Sequence, residues 1–326
     1  MEKAISYKLP TCTTNKEGAE RRVGFELEFS GLTLRQTSDI IIRTLGGTLQ
    51  SETAAEHKLR AEGLGDFNIE LDWNYLKQKA ATPGQHPPEL LDLLSDAASL
   101  LVPVEVVCPP IALSQLDQLD ELVIQLRKAG AIGTEESMIA AYGVHINSEI
   151  PSLDAATLFN YLRAFSLLQW WLVEAHEVNT TRKISPYIDL YPEKYIKQLL
   201  SRTNPDMETI FSDYLEYNPS RNRALDLLPL LAEIDEHRVR GCIDDPKIKA
   251  RPTFHYRMPN CNIEHDNWSL AQSWNIWWVV EQLASRPDHL NELSAAFLAA
   301  EQPLLGVSRK LWTEYIDQWL KNHALA

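Results

Sequence analysis

The sequence predicts an α+β fold, in which an antiparallel or mixed sheet is packed on one side by helices and followed by a helical C-terminal part. Three observations carry this expectation. Up to Asn147, short runs alternate apolar and polar side chains with a period of two, as half-buried strands do. Two segments among those runs carry the three- and four-residue spacing of amphipathic helices. From Ser152 onward the apolar runs are longer and helical in spacing, with one strand-like interruption. Strands first and helices afterwards is the order of an α+β domain rather than of a βαβ repeat.

Taken along the chain, residues 1–20 are polar and aperiodic and read as a flexible N-terminal arm, leaving 21–326 as a single domain. Arg21–Ser30 reads as a strand. Thr33–Leu45 reads as a helix with Leu34, Ser38, Ile41, Ile42 and Leu45 on one face, Thr33 as N-cap and Gly46 as stop. Strands follow at Thr48–Glu52, His57–Glu62, Phe67–Trp73 and Pro103–Val107, the last closed by Pro109 and Pro110. Ser114–Ala129 is an amphipathic helix stopped by Gly130, and Ile139–Asn147 a strand. The second half reads as helices at Ser152–Glu177, Glu193–Ser201, Met207–Glu216, Ala224–His237 and Asn267–Ser285, with a strand at Pro252–Met258 and two helices closing the chain. The tryptophans at 170, 171, 274, 277 and 278 fall at helical spacing and suit a core or a homo-oligomer interface equally.

Composition narrows the function classes. With 44% hydrophobic and 23% charged residues the chain is an ordinary globular sequence. No apolar run is long enough to span a bilayer, and the first residues lack the apolar core of a secretion signal. The cysteines, Cys12, Cys108, Cys242 and Cys261, are scattered, which argues against zinc or disulfide frameworks and for a reduced, cytoplasmic setting. A formal net charge of −14 disfavours nucleic acid as a partner. No phosphate-binding glycine loop, dinucleotide fingerprint or serine-hydrolase elbow is present.

The strands themselves carry the chemistry. In Phe25-Glu26-Leu27-Glu28-Phe29 three apolar groups face one way and two carboxylates the other, about 6.5–7 Å apart along the strand. Asn68, Glu70 and Asp72 share a side of the Phe67 run, Glu105 stands among valines, His145 and Asn147 alternate with Val144 and Ile146, and Thr253, His255 and Arg257 lie together. For any one strand the alternative is a solvated polar face. Taken as one sheet, these strands gather carboxylates with almost no lysine or threonine to dilute them. Such groups repel unless cations neutralise them, and oxygen-rich sites suit Mg²⁺. Taken singly, His145 reads equally as a core histidine, Arg257 as an ion-pair partner, and Arg182 and Lys183 as helix C-terminal charges. Arg238, Arg240, Lys247, Lys249 and Arg251 read as a solvated basic face, with a lid over an anionic substrate as the alternative.

In order, Val23-Gly24-Phe25-Glu26-Leu27-Glu28-Phe29, Phe67–Asp72, Pro103-Val104-Glu105-Val106-Val107-Cys108-Pro109-Pro110, Gly143-Val144-His145-Ile146-Asn147, Asn179-Thr180-Thr181-Arg182 and Arg251–Arg257 resemble the successive motifs of the amidoligase family. That family belongs with the glutamine synthetase and γ-glutamylcysteine synthetase fold of COOH–NH₂ ligases. The resemblance spans roughly residues 20–285. It departs at His255, where the family usually has glutamate, and more mildly at Asp226, where asparagine is common.

The resemblance implies a glutamine-synthetase-like curved sheet and a single amidoligase-like catalytic domain. It implies an ATP- and Mg²⁺-dependent carboxylate–amine ligase that forms an amide or peptide-like bond through an acyl phosphate. Its substrate would be a small molecule or peptide supplying a carboxylate and an amine. By motif position Glu26, Glu28, Glu105 and His145 would hold metal. His145, Asn147, Arg182 and Arg257 would contact the nucleotide. Arg182 and Arg257 would stabilise the transferring phosphoryl group, with Asp72 a further ligand or amine-site group. Three other readings stay open on the same residues: a guanidino-type phosphotransferase, a metal-dependent hydrolase, and a non-catalytic protein whose acidic sheet face binds a cationic partner.

Overall fold

A computed structural model describes residues 5–71, 102–134, 142–184 and 188–325. Asp72, Trp73 and residues 139–141, which the sequence assigns to strands, lie outside the described residues. The chain divides into two compact units, and the α+β class holds. Unit 1 comprises Met1–Ile5, Val23–His145 and Pro259–Leu270; unit 2 comprises Ser6–Arg22, Ile146–Met258 and Ala271–Ala326. No helix of the described residues is long and apolar enough to cross a membrane.

In unit 1 the strands are β1 (Arg22–Phe29), β2 (Thr48–Glu52), β3 (Glu56–Ala61), β4 (Gly65–Leu71), β5 (Val104–Val107), the short β6 (Ile111–Ala112) and the start of β7 (Val144–Ser148). They lie in the order β2-β3-β4-β5-β1-β7, with β6 paired to β1. The registered pairs of β1 with β5, β5 with β4, β4 with β3 and β3 with β2 are all antiparallel. The apolar side of the alternation is the core: Phe25, Leu27, Phe29, Phe67, Ile69, Leu71, Val104 and Val106 are buried.

Helix α1 (Leu34–Leu45) begins with a capping box. Thr33 accepts from the Gln36 main chain, and the Gln36 side chain reaches back to the Thr33 N–H. Gly46, at φ 73°, ends it in the left-handed conformation that glycine tolerates best. The buried face of α1 is Leu34, Thr37, Ser38, Ile40 and Ile41, turned from the expected stripe so that Ile42 and Leu45 are half-exposed. Within that face Ser38 Oγ lies 2.7 Å from the buried His57 Nδ1 of β3. The expected helix at Ser114–Ala129 is a 3₁₀ segment, Leu113–Leu119, running into α2 (Asp120–Lys128).

Unit 2 holds the end of β7, then β9 (His255–Tyr256) and β8 (Leu225–Asp226), with Ile146 opposite Tyr256 and Asp226 opposite His255. The strand expected over Pro252–Met258 shrinks to β9 because its neighbours bond irregularly: Phe254 N to Ser148 O and Arg257 N to Ala224 O. The helix expected from Ala224 begins at Leu228 as α3 (Leu228–Cys242). Leu225 and Asp226 are spent in β8, and Pro229 sits in the first turn, where its missing N–H costs nothing.

Helices α4 (Ala155–Ala175) and α5 (Leu270–Ala284) form the apolar centre of this unit. Trp170, Trp171, Trp274 and Trp277 are buried there, and Trp277 packs on Tyr256 with ring centroids 4.8 Å apart. The indole N–H groups of Trp274 and Trp278 donate to Lys8 O and Leu9 O, each at 2.8 Å. Arg21 is fully buried against Glu281, with Nη2 2.8 Å from Oε1 and Nη1 3.0 Å from Oε2. Ser148, Tyr161 and Trp277 also donate to that carboxylate. Burial alone would raise the Glu281 pKa. The Arg21 charge and the hydrogen bonds from Arg21, Tyr161 and Ser148 outweigh it and hold the carboxyl below its ordinary value.

Candidate functional site: an acidic sheet face

Strand pairing turns the alternation of unit 1 into a row. Glu28 of β1 lies opposite Glu105 of β5, Glu105 opposite Glu70 of β4, and Glu70 opposite Glu56 of β3. Residues directly opposite share a face with Cβ atoms about 4.5–5.5 Å apart, so four carboxylates on four neighbouring strands stand side by side. All four are half-buried. Like charges directly opposite are destabilising. Inside this row Lys58 reaches Glu56 at 3.4 Å and the Asn68 amide reaches Glu70 at 3.4 Å. The Glu28–Glu105 end is reached instead by β7.

There His145 Nδ1 is 2.8 Å from Glu26 Oε2, and its Nε2 is 3.5 Å from Glu28 Oε1. The second oxygen of Glu28 accepts from the Gly143 main-chain N–H at 2.7 Å. The ligand atoms of Glu28, Glu105 and His145 lie within 4.8 Å of one another, close enough to share one cation. Glu26 joins the site through the same histidine and is itself among the residues that could hold a metal. Its carboxylate meets the far ring nitrogen of His145 and fixes the ring's orientation, as carboxylates behind metal-binding histidines do. Beside this site the buried Cys108 thiol is pushed up by burial first and by the Glu26 charge second, which disfavours its thiolate.

Glu26, Glu28, Glu105 and His145 are therefore brought together within unit 1. Asn147, Arg182 and Arg257 belong to unit 2, and Asp72 lies outside the described residues. Asn147 Oδ1 accepts from Arg251 Nη2 at 2.9 Å and lies 2.7 Å from His255 Nδ1. Arg257 Nη2 is 3.5 Å from Asp226 Oδ2. Arg182, also buried, donates to the main-chain carbonyls of Arg257 and Met258 at 2.6 and 2.7 Å and so braces the chain that carries Arg257.

Two residues escaped the sequence reading. Glu56 sits one position before the expected start of its strand, although Glu56-His57-Lys58-Leu59 continues the period of two. Arg251 heads the motif run Arg251–Arg257, yet by charge it falls in the stretch that reads as a solvated basic face. Arg238 fits that group, pairing with Glu208 at 2.6 Å, but Arg251 turns inward to Asn147.

No curated protein and no solved structure matches the chain. A family model described as "Putative amidoligase enzyme" matches residues 19–279, which takes in β1, the acidic row, His145 and the strands of unit 2. The chain belongs to the amidoligase family.

Proposed function

We propose that this chain is an ATP- and Mg²⁺-dependent carboxylate–amine ligase that forms an amide or peptide-like bond through an acyl phosphate. The observation that carries the reading is the register that sets Glu28, Glu105, Glu70 and Glu56 side by side. The family supports a ligase-type enzyme, and the acidic face supports the cation requirement. The donor set fits a hard divalent ion: carboxylate oxygens dominate it, one imidazole joins them, and their mutual repulsion falls when a cation sits among them. Glu28, Glu105 and His145 would hold the metal, with Glu26 behind the histidine.

Bound there, Mg²⁺ would supply charge neutralisation for the phosphate oxygens of the nucleotide. The chain's own residues do the positioning. The Gly143 N–H fixes one oxygen of Glu28, leaving the other turned to His145. Glu26 holds His145 in one ring orientation. Within unit 2, Arg182 braces the backbone of Arg257, whose guanidinium fork suits a phosphoryl group. Phosphoryl transfer asks mainly for such positioning and charge compensation rather than for a protein nucleophile.

The test uses hydroxylamine as a universal amine. Purified protein with Mg²⁺-ATP is offered a panel of amino acids and small carboxylic acids. ADP release coupled to hydroxamate formation with at least one acid, both lost in Glu105→Gln, supports the ligase. ADP release with a phosphorylated acceptor and no hydroxamate would move the reading to a phosphotransferase.

A further inference from the structure

Unit 2 concentrates positive charge on one face of its strands. Asp226 of β8 and His255 of β9 are register partners and share that face. Arg257, two residues past His255, returns to it and reaches Asp226 at 3.5 Å. Arg251 arrives from upstream, its Nη2 2.9 Å from Asn147 Oδ1 and 3.1 Å from His255 Nδ1. Asn147 Oδ1 accepts from Arg251 Nη2 and so anchors Arg251 in place. Arg221, paired loosely with Asp245 at 3.6 Å, is the third guanidinium whose charge acts on Asp226.

One aspartate does not satisfy this set. Burial pushes the Asp226 carboxyl up towards its neutral form, and the pull of Arg257, Arg221 and Arg251 does not overcome it. One Asp226 oxygen already accepts from the Leu228 N–H at 3.0 Å. Arg257 is left short. It is 8% exposed, its contact with Asp226 is longer than a charge-assisted hydrogen bond, and its Nε has no hydrogen-bond partner. A buried guanidinium with an unfilled donor is costly, and the group that fills a planar fork is an oxyanion.

We propose that Arg257 and Arg251 form an oxyanion subsite on this face of unit 2, which binds a carboxylate or phosphate group of the substrate, with Asp226 as the internal counter-charge that the ligand relieves. The subsite adds Arg251, Asn147 and Asp226 to the role given above to Arg257. It needs neither metal nor nucleotide, so it stands or falls apart from the acidic face.

The test is calorimetry on the full chain, freed of metal by a chelating resin and without nucleotide, titrated separately with pyrophosphate and with glutarate. Binding of either upholds the subsite when Arg251→Met weakens it about tenfold and Asp226→Asn, which removes the competing carboxylate, tightens it a few-fold. Preference for pyrophosphate assigns the subsite to a phosphate chain, and preference for glutarate to a substrate carboxylate. Arg257→Met alone strands a buried aspartate and risks the fold. The double variant Asp226→Asn/Arg257→Met removes both charges, and a folded double variant should bind neither ion. No binding by wild type, or binding indifferent to Arg251→Met and Asp226→Asn, would overturn the proposal.

Discussion

Two charged clusters in this chain are handled in opposite ways. In unit 2, Glu281 is almost fully buried, yet every demand it makes is met from within: a bidentate Arg21, with Ser148, Tyr161 and Trp277 completing the shell. In unit 1, Glu28, Glu105 and Glu70 are only half-buried, and the pairing of their strands sets like charges against one another. The first cluster is arranged as a structural device is, paired and closed. The second keeps a strain that a ligand can relieve, which is how functional sites commonly differ from the scaffold around them.

The sharpest way to break the contrast is to injure each cluster and compare signs. Glu281→Ala leaves Arg21 buried without a counter-charge and should cost about 3–5 kcal/mol, seen as a large fall in the midpoint of denaturant unfolding. Adding Arg21→Met to it should restore part of that loss. Smaller in size is the acid dependence of the same pair. The folded-state pKa of Glu281 is depressed, so its contribution is fully present above the unfolded value of about 4.3 and is lost as pH falls through the folded value. Unfolding midpoints measured below about pH 4.3 should therefore converge for wild type and Glu281→Gln.

Smallest, and opposite in sign, is Glu105→Gln without divalent metal. Removing one of the opposed carboxylates should stabilise the protein by about 0.5 kcal/mol. A destabilised Glu105→Gln would mean the row is a structural feature after all.

How far the sequence could foresee these clusters differs between them. The carboxylate faces were legible because a period of two is local: Phe25, Leu27 and Phe29 mark the buried side and thereby Glu26 and Glu28 as the other. What alternation does not contain is register. That Glu28 meets Glu105, and Glu105 meets Glu70, depends on which strands pair and at what offset. Glu26 and Glu28 show what register adds: both meet His145, Glu26 at Nδ1 and Glu28 at Nε2.

The polar alternation of β7, which passes from unit 1 into unit 2, suits a half-exposed strand as well as a buried one, and Val144 through Ser148 are all buried. His145, Asn147 and Ser148 are polar there because each has a designated partner, not because they face solvent. The Arg21–Glu281 pair was invisible for a simpler reason: its members lie 260 positions apart, and neither stands out in its own segment.

The central claim is that the acidic row of unit 1 holds a divalent cation for a nucleotide. Calorimetric titration of ATP into wild type, Glu28→Gln and Glu105→Gln, each with and without Mg²⁺, tests it most directly. The account predicts binding by wild type only when Mg²⁺ is present, and its loss in both variants while they remain folded. Mg²⁺-independent binding, or undiminished binding by Glu28→Gln and Glu105→Gln, would contradict it.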